Sequence, residues 1–284
     1  MSFRQHLKSR WPWFIAGALS LVVAGVLGGI AFMYSGVYNV ATSTDHFSVV
    51  YWALEKGMRA SVRNHAAEVE APDLDDPALI PVGVRCFQDH CVQCHGGPGI
   101  SPDEQGKSLQ PVPSSLAQAA RDWPAEELYW VMKHGIRMAG MPAWEYFVAE
   151  RDMWATTAFL KHKLPHVTRE QYQELLEGAA SSKCSQPAER RSADAARGLL
   201  TVRQYGCHGC HQIPGVTGSQ VYVGPPLTHF AQRQYVGGSL PRTRENVIRW
   251  LREPESINPR TLMPNLGITE QHADDIAAYL ETLE

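Results

Sequence analysis

The pattern Cys-x-x-Cys-His occurs twice, as CVQCH at 91–95 and CHGCH at 207–211, and uses four of the six cysteines in a 284-residue chain. Drawn at random from this composition, the pattern would arise at roughly 2 × 10⁻⁵ of start positions, so two copies are not coincidence. On one helical turn the two thiols match the separation of the two vinyl groups of a haem, and the adjoining histidine falls beneath the iron. A zinc site needs four protein ligands in a tetrahedron, and neither motif has a second Cys/His cluster at finger spacing. A thioredoxin-like dithiol needs a βαβ context, which the sequence does not offer. The pattern therefore predicts two covalently attached haem c groups. Cys91 and Cys94 hold one with His95 as proximal ligand, and Cys207 and Cys210 hold the other with His211 as proximal ligand.

The opposite axial ligand is expected downstream of each motif. GIRMAGMPAW (135–144) and RTLMPNLG (260–267) each carry Met-Pro, which places Met141 46 residues after His95 and Met263 52 residues after His211. A thioether is a soft, neutral ligand that favours ferrous iron, and His/Met ligation raises the reduction potential. Met138 is the competing ligand for the first site. The alternative for all three is service as core filler. His90 and His208 adjoin the motifs and read as surface residues, as do His134 and His229.

The N-terminus sets the compartment. Residues 11–34, WPWFIAGALSLVVAGVLGGIAFMY, contain no charged residue and follow Arg4, Lys8 and Arg10. A helix rises about 1.5 Å per residue, so some 20 apolar residues cross a hydrocarbon core of roughly 30 Å. Positive charge ahead of the span predicts a single-pass anchor in the cytoplasmic (inner) membrane of a bacterium, with the rest of the chain on the periplasmic side. A cleaved signal peptide is the competing reading, but its apolar stretch runs to only about 7–15 residues. Gly25 and Gly29 form a small-residue pair able to pack another membrane helix. In an oxidising space Cys86 and Cys184, the two cysteines outside the motifs, are candidates for a disulfide. The alternatives are a buried thiol at Cys86 and an exposed one at Cys184.

Both motif-bearing regions read as helical. ADAARGLLTVRQYGCHGCH is apolar at Ala195, Leu199, Val202 and Tyr205, a helix leading into its motif. ITEQHADDIAAYLETL opens with Thr269 as N-cap and offers Ile276, Tyr279, Leu280 and Leu283 for burial. In the first region ERDMWATTAFLKHKLP closes the unit, with Trp154, Ala158 and Phe159 inward and Pro165 at its end. No alternating strand pattern of useful length appears. The organisation expected is a cytoplasmic start and transmembrane anchor (1–36), a connecting segment (37–77), a first domain (78–166), a polar linker (167–192) and a second domain (193–284). In the connecting segment Phe47, Val50, Leu54, Met58 and Val62 lie at helical spacing, predicting an amphipathic helix packed on the haem domains or on a partner.

These features closely resemble bacterial membrane-anchored dihaem cytochromes c, built from two domains of the small all-helical mitochondrial type. The residues carrying the resemblance are Gly83, Phe87, the two motifs, Met141-Pro142-Ala143-Trp144, Gly198, Gly224-Pro225-Pro226-Leu227, Met263-Pro264 and Tyr279. It implies that Gly83 and Gly198 let the first helix of each domain cross the last closely. It implies also that the Pro225 carbonyl accepts a hydrogen bond from the second ring nitrogen of His211, a contact that fixes the ring and tunes the iron. The first domain has PVPSSL (111–116) at the corresponding place, where a carbonyl near Ser114 is the candidate acceptor.

Iron with both axial positions filled by protein offers no open site to a substrate, so the expectation is an electron carrier and not an enzyme. Electrons would enter from a quinol-oxidising complex or a dehydrogenase and leave to a terminal oxidase or a soluble cytochrome. The alternatives are a fixed haem subunit of an oxidase or dehydrogenase complex, a dihaem peroxidase, and a sulfur-compound oxidase. The chain lacks the N-terminal signature expected of the dihaem subunit of one group of haem–copper oxidases, which ranks that identity lower. A formal charge of −3 gives no support to nucleic-acid binding. Charge is uneven: residues 67–165 carry 14 acidic against 8 basic groups, with five carboxylates in EVEAPDLDD (68–76), whereas 229–260 carries six arginines against three glutamates. Arg233, Arg242, Arg244 and Arg249 are therefore candidates for steering an acidic partner.

Overall fold

A computed structural model describes residues 3–187, 192–218 and 223–284, and of residues 3–10 the backbone alone. The charges expected at Arg4, Lys8 and Arg10, and part of the expected linker, therefore lie outside the described side chains. The chain divides into two compact units, residues 1–187 and 188–284.

The first unit begins with α1 (Phe3–Ser35). Within it Trp11–Ser35 has a mean hydropathy of 2.3 over its most apolar window and none of it is buried, which suits a bilayer-crossing anchor by length and composition. After a turn region comes α2 (Ser48–Ala66). Then α3 (Leu79–Cys86) passes through one π-helical turn (Phe87–Cys91) into α4 (Val92–His95), so 79–95 is one continuous helix carrying the first motif on its last turn. Gly96, at φ +67°, stops it; a Cβ there would stand 2.8 Å from the carbonyl oxygen of Ile100. Three short helices follow: α5 (Glu104–Ser108), α6 (Leu116–Asp122) and α7 (Ala125–His134). The unit is completed by α8 (Glu150–His162) and α9 (Arg169–Gly178).

Its core forms where α3 crosses α8. Phe87 is fully buried between Phe159, at a centroid distance of 5.3 Å, and the edge of Tyr172, at 6.1 Å. Burying each such ring contributes about 1.5–3 kcal/mol. Tyr129 stacks on Trp154 at 3.8 Å and gives its hydroxyl hydrogen to Glu150. Trp154, Ala158 and Phe159 face inward as expected.

The segment expected as a linker departs from that reading. Thr168 and Gln171 form a reciprocal capping box, and the helix it starts buries Tyr172 completely against Phe87. Beyond α9 the chain is stitched to α8: Ala149 N donates to Ser185 O (2.8 Å), and Ser185 N donates to the buried Asp152 carboxylate (2.7 Å). Residues 167–187 thus belong to the first unit. Polar composition hid this because a few scattered side chains carry the packing: Tyr172 and Ala179 are buried in the core, and Val167, Leu175 and Leu176 pack against it.

The second unit opens with α10 (Ala195–Gln204), capped by Asp194, and closes with α13 (Glu270–Leu280), capped by Thr269. Between them lie a two-residue hairpin, β1 (Tyr235–Val236) with β2 (Leu240–Pro241), and the helices α11 (Arg244–Arg252) and α12 (Pro254–Ile257). Ile276, Tyr279, Leu280 and Leu283 are buried, as the pattern predicted. Arg197 grips buried Asp275 through two nitrogens, at 3.1 and 2.9 Å, and ties the start of α10 to α13.

The two units enter their motifs differently. Cys91 comes eight residues after Gly83, whereas Cys207 comes nine after Gly198. The first unit uses the π-helical turn. The second ends its helix, turns through Gly206 in the left-handed region (φ +67°), and begins Cys207 in a short 3₁₀ turn.

Two candidate haem sites

In the first unit Cys91, Cys94 and His95 line one side of a cavity of about 390 Å³ whose other walls come from α6, α7 and the loop after α7. His95 Nδ1 lies 2.7 Å from the carbonyl oxygen of Ser114, which leaves Nε2 as the free ring nitrogen. Burial holds the His95 pKa below its ordinary value, against the opposing pull of that hydrogen bond, and so favours the neutral, ligating form. Burial likewise pushes the Cys91 thiol up to about 12 and raises that of Cys94. α5 packs against the attachment turn, and a Cβ on Gly106 would stand 2.8 Å from the Cα of Cys94.

The loop after α7 decides between the two methionines. Gly135, at φ +65°, reverses the chain, and Ile136 N donates to Met141 O at 3.2 Å, closing the loop 136–141. Met141 sits at the base of that loop and lines the cavity. Met138 sits at its tip, at φ +63° and 93% exposed. Trp144 also lines the cavity and meets His90 at a ring distance of 5.0 Å. His90, expected at the surface, is therefore part of the wall, and burial lowers its pKa.

In the second unit His211 Nδ1 lies 2.8 Å from the carbonyl oxygen of Pro225. The segment that presents this carbonyl is pinned to the motif at both ends: Gly224 N donates to Cys210 O and Leu227 N to Gln212 O, each at 2.8 Å. Gly224 has no room for a side chain, since a Cβ would stand 2.4 Å from the His211 ring. Met263 is half-buried against the core of the unit, with exposed Leu262 before it. His208, expected at the surface, is half-buried against Gly218, and its Nδ1 has no hydrogen-bond partner among the described residues. His134 and His229 are exposed. Three of the four arginines expected to steer a partner are engaged within the unit. Arg233 reaches the Pro226 carbonyl and the Phe230 ring, Arg242 donates to the Arg233 carbonyl, and Arg244 pairs with Asp274 and Glu281.

The connecting helix α2 supplies residues to the first site that the sequence reading left out. Tyr51, Glu55, Met58 and Arg59 line the same cavity as the motif. The inward stripe agrees with the expected one at Met58 and Val62 and departs from it at Phe47 and Leu54, which are exposed, while Ala66 is buried. The i, i+4 spacing of Glu55 and Arg59 was visible, but in an amphipathic helix charged residues are ordinarily assigned to the solvent side.

The donor sets fit haem c in both units: two neighbouring thiols, an imidazole with one ring nitrogen engaged by a backbone carbonyl, and a thioether further along the chain. An apolar-walled cavity joins thiols, imidazole and thioether in the first. A helical domain built to hold a haem is thus present twice. The family model described as "Cytochrome C oxidase, cbb3-type, subunit III" matches residues 78–160, and that described as "Cytochrome c" matches residues 195–284. The chain belongs to the c-type cytochromes and carries two such domains in tandem. It is 30% identical over 128 residues to cytochrome c oxidase subunit 2 of Alkalihalophilus pseudofirmus, covering 45% of this chain and 35% of that protein. It is 32% identical over 82 residues to cytochrome c oxidase subunit 2 of Bacillus sp. strain PS3, covering 28% of this chain and 23% of that protein. The chain thus spans about a third or less of the length of these relatives. Electron transfer by haem is the activity that such domains carry.

Proposed function

We propose that this chain is a membrane-anchored dihaem cytochrome that passes electrons toward a terminal oxidase on the periplasmic side of a bacterial inner membrane. Cys91 and Cys94 hold one haem c and Cys207 and Cys210 the other, through thioether bonds. His95 with Met141, and His211 with Met263, would hold the two irons. When bound, haem c would supply one-electron chemistry at each site. The observation that carries the reading is the matched placement of the two histidines, each with Nδ1 on a backbone carbonyl and Nε2 left free.

The chain's own part is positioning and exclusion. The carbonyls of Ser114 and Pro225 hold each imidazole in one tautomer and one ring orientation. Gly224 lets the Pro225 segment lie flat on the His211 ring. The closed loop at Ile136–Met141 holds a thioether in place without a flexible approach, and the apolar walls of the first cavity keep water from its centre. Cys86 and Cys184, whose Cα atoms are 4.9 Å apart, form a disulfide that holds the segment after α9 on the first domain. The donor is a quinol-oxidising complex or a dehydrogenase.

A second reading is favoured by the comparisons: a fixed haem subunit of an oxidase. The first domain matches a model named for an oxidase subunit, and the relatives are named as oxidase subunits. That reverses the lower rank which the N-terminal sequence suggested. Gentle solubilisation and purification distinguish the two, since a carrier is recovered alone and a subunit with its oxidase.

The test of the main reading is a redox titration followed in the visible and near-infrared. Two low-spin haems per chain, each with a methionine-to-iron band and a positive potential, are expected. A high-spin or strongly negative haem would overturn the closed axial pairs and bring peroxidase chemistry forward.

A further inference from the structure

The register of α2 is unusual for a helix packed by apolar burial. It leaves Tyr51, Trp52 and Leu54 exposed and turns the ion pair Glu55–Arg59 to the cavity that holds Cys91, Cys94, His95 and Met141. Arg59 is the one lysine or arginine among the residues lining that cavity. Its guanidinium carbon lies over the Trp123 ring, 5.0 Å from the centroid. Its Nε donates to Glu55 at 3.1 Å, and no described residue takes a hydrogen bond from its terminal nitrogens. A guanidinium so placed has its paired, fork-like donors unspent beside an otherwise apolar cavity.

Haem c carries two carboxylates and, once bound, brings them into this cavity. Enclosing a carboxylate among apolar walls is costly unless a cation and hydrogen-bond donors meet it. We propose that Arg59 is the cationic partner of a haem carboxylate, which makes α2, the helix joining the membrane-type span to the first domain, a working wall of the haem site. The inference rests on the haem reading above. It assigns a cofactor-binding residue outside the stretch 78–160 that matches a cytochrome model. Other charged groups face the cavity, namely Glu55, Asp122, His90 and His95, and none but Arg59 carries a fixed positive charge. It follows that filling the cavity clamps α2 to the domain.

The test uses the full haem-loaded chain with Arg59→Met and Arg59→Lys. Met keeps an unbranched side chain and removes the guanidinium with its charge; Lys keeps the charge. At pH 8 the potential of the first haem, identified by its hyperfine-shifted methyl signals, is measured together with amide exchange across α2. A positive charge beside the iron disfavours the ferric state. Arg59→Met is therefore expected to lower the first potential, leave the second unmoved and speed exchange over 55–62, with Arg59→Lys close to the parent. An unmoved potential in Arg59→Met, with haem present in both domains, overturns the assignment. Faster exchange without that shift also overturns it, since it leaves only side-chain packing. A parent chain holding no haem in its first domain overturns instead the reading on which this rests.

Discussion

Gly198 meets Asp275 where α10 crosses α13, so closely that a Cβ on the glycine would stand 2.0 Å from the aspartate's carbonyl oxygen. Gly83 meets Ala155 in the same way at the crossing of α3 and α8, at 2.1 Å. Alanine gains about 1 kcal/mol of helix propensity over glycine, but here it must separate two helices. Overpacking of this kind costs roughly 1–3 kcal/mol and more where backbone is the obstacle. Gly83→Ala and Gly198→Ala should each destabilise their own domain on balance, read as a lower urea midpoint for that domain alone. A neutral or stabilised variant would mean that the crossing yields.

The two methionines near the first haem site should separate cleanly. Met141→Ala and Met263→Ala are each expected to remove about half of the near-infrared methionine band, because thioether ligation is their assigned role. Met138→Ala should leave the band intact, since that side chain is 93% exposed at the tip of its loop. Loss of the band in Met138→Ala would exchange the assignments.

Cys184→Ser should loosen the first domain and spare the second. A cross-link spanning 98 residues of sequence contributes on the order of 2–4 kcal/mol, chiefly by restricting the unfolded chain. Part of the segment's attachment survives through the Asp152 and Ala149 hydrogen bonds. Intact mass after alkylation without reductant checks the bond itself: two labelled thiols in the parent would refute it.

Acid should weaken the second domain through His272. Burial lowers its folded pKa below the ordinary histidine value, against a smaller opposing effect of Asp275, and its Nδ1 lies 3.0 Å from the Tyr205 hydroxyl. The unfolded chain therefore binds a proton first as pH falls below about 6.5. Stability is full above that value and is lost progressively from there down to the folded pKa. His272→Gln should flatten the pH dependence of this domain's thermal midpoint between pH 7.5 and 5. An unchanged slope would place the acid sensitivity elsewhere.

How much of this was legible depended on distance along the chain. The two Cys-x-x-Cys-His motifs, the apolar span and the cap at Thr269 are all chemistry within a few residues; the structure shows the long apolar helix and the Thr269 cap, and adds a cap at Asp194 that was not foreseen. The acceptor for His95 was recognisable only as a carbonyl near Ser114, because a backbone oxygen has no sequence signature. The place of 167–187 was misread, since a few scattered side chains, Tyr172 and Ala179 foremost, and the hydrogen bonds of Ser185 bind it to its domain. His90 was read as a surface group and Arg59 was not singled out, because the cavity they face is assembled from distant segments.

The sequence by itself determined that two Cys-x-x-Cys-His motifs exist, that each lies in a small helical domain of cytochrome c type, and that an apolar span precedes them. Those properties follow from covalent chemistry and helical period, which act over one or two turns. Tertiary structure alone decided that Met141 lines the cavity while Met138 points away, and that three arginines of the second domain are used internally. It also decided that α2 turns charge inward. These depend on what the rest of the chain brings to face a residue, and burial cost and hydrogen-bond supply are set only when that surrounding has formed.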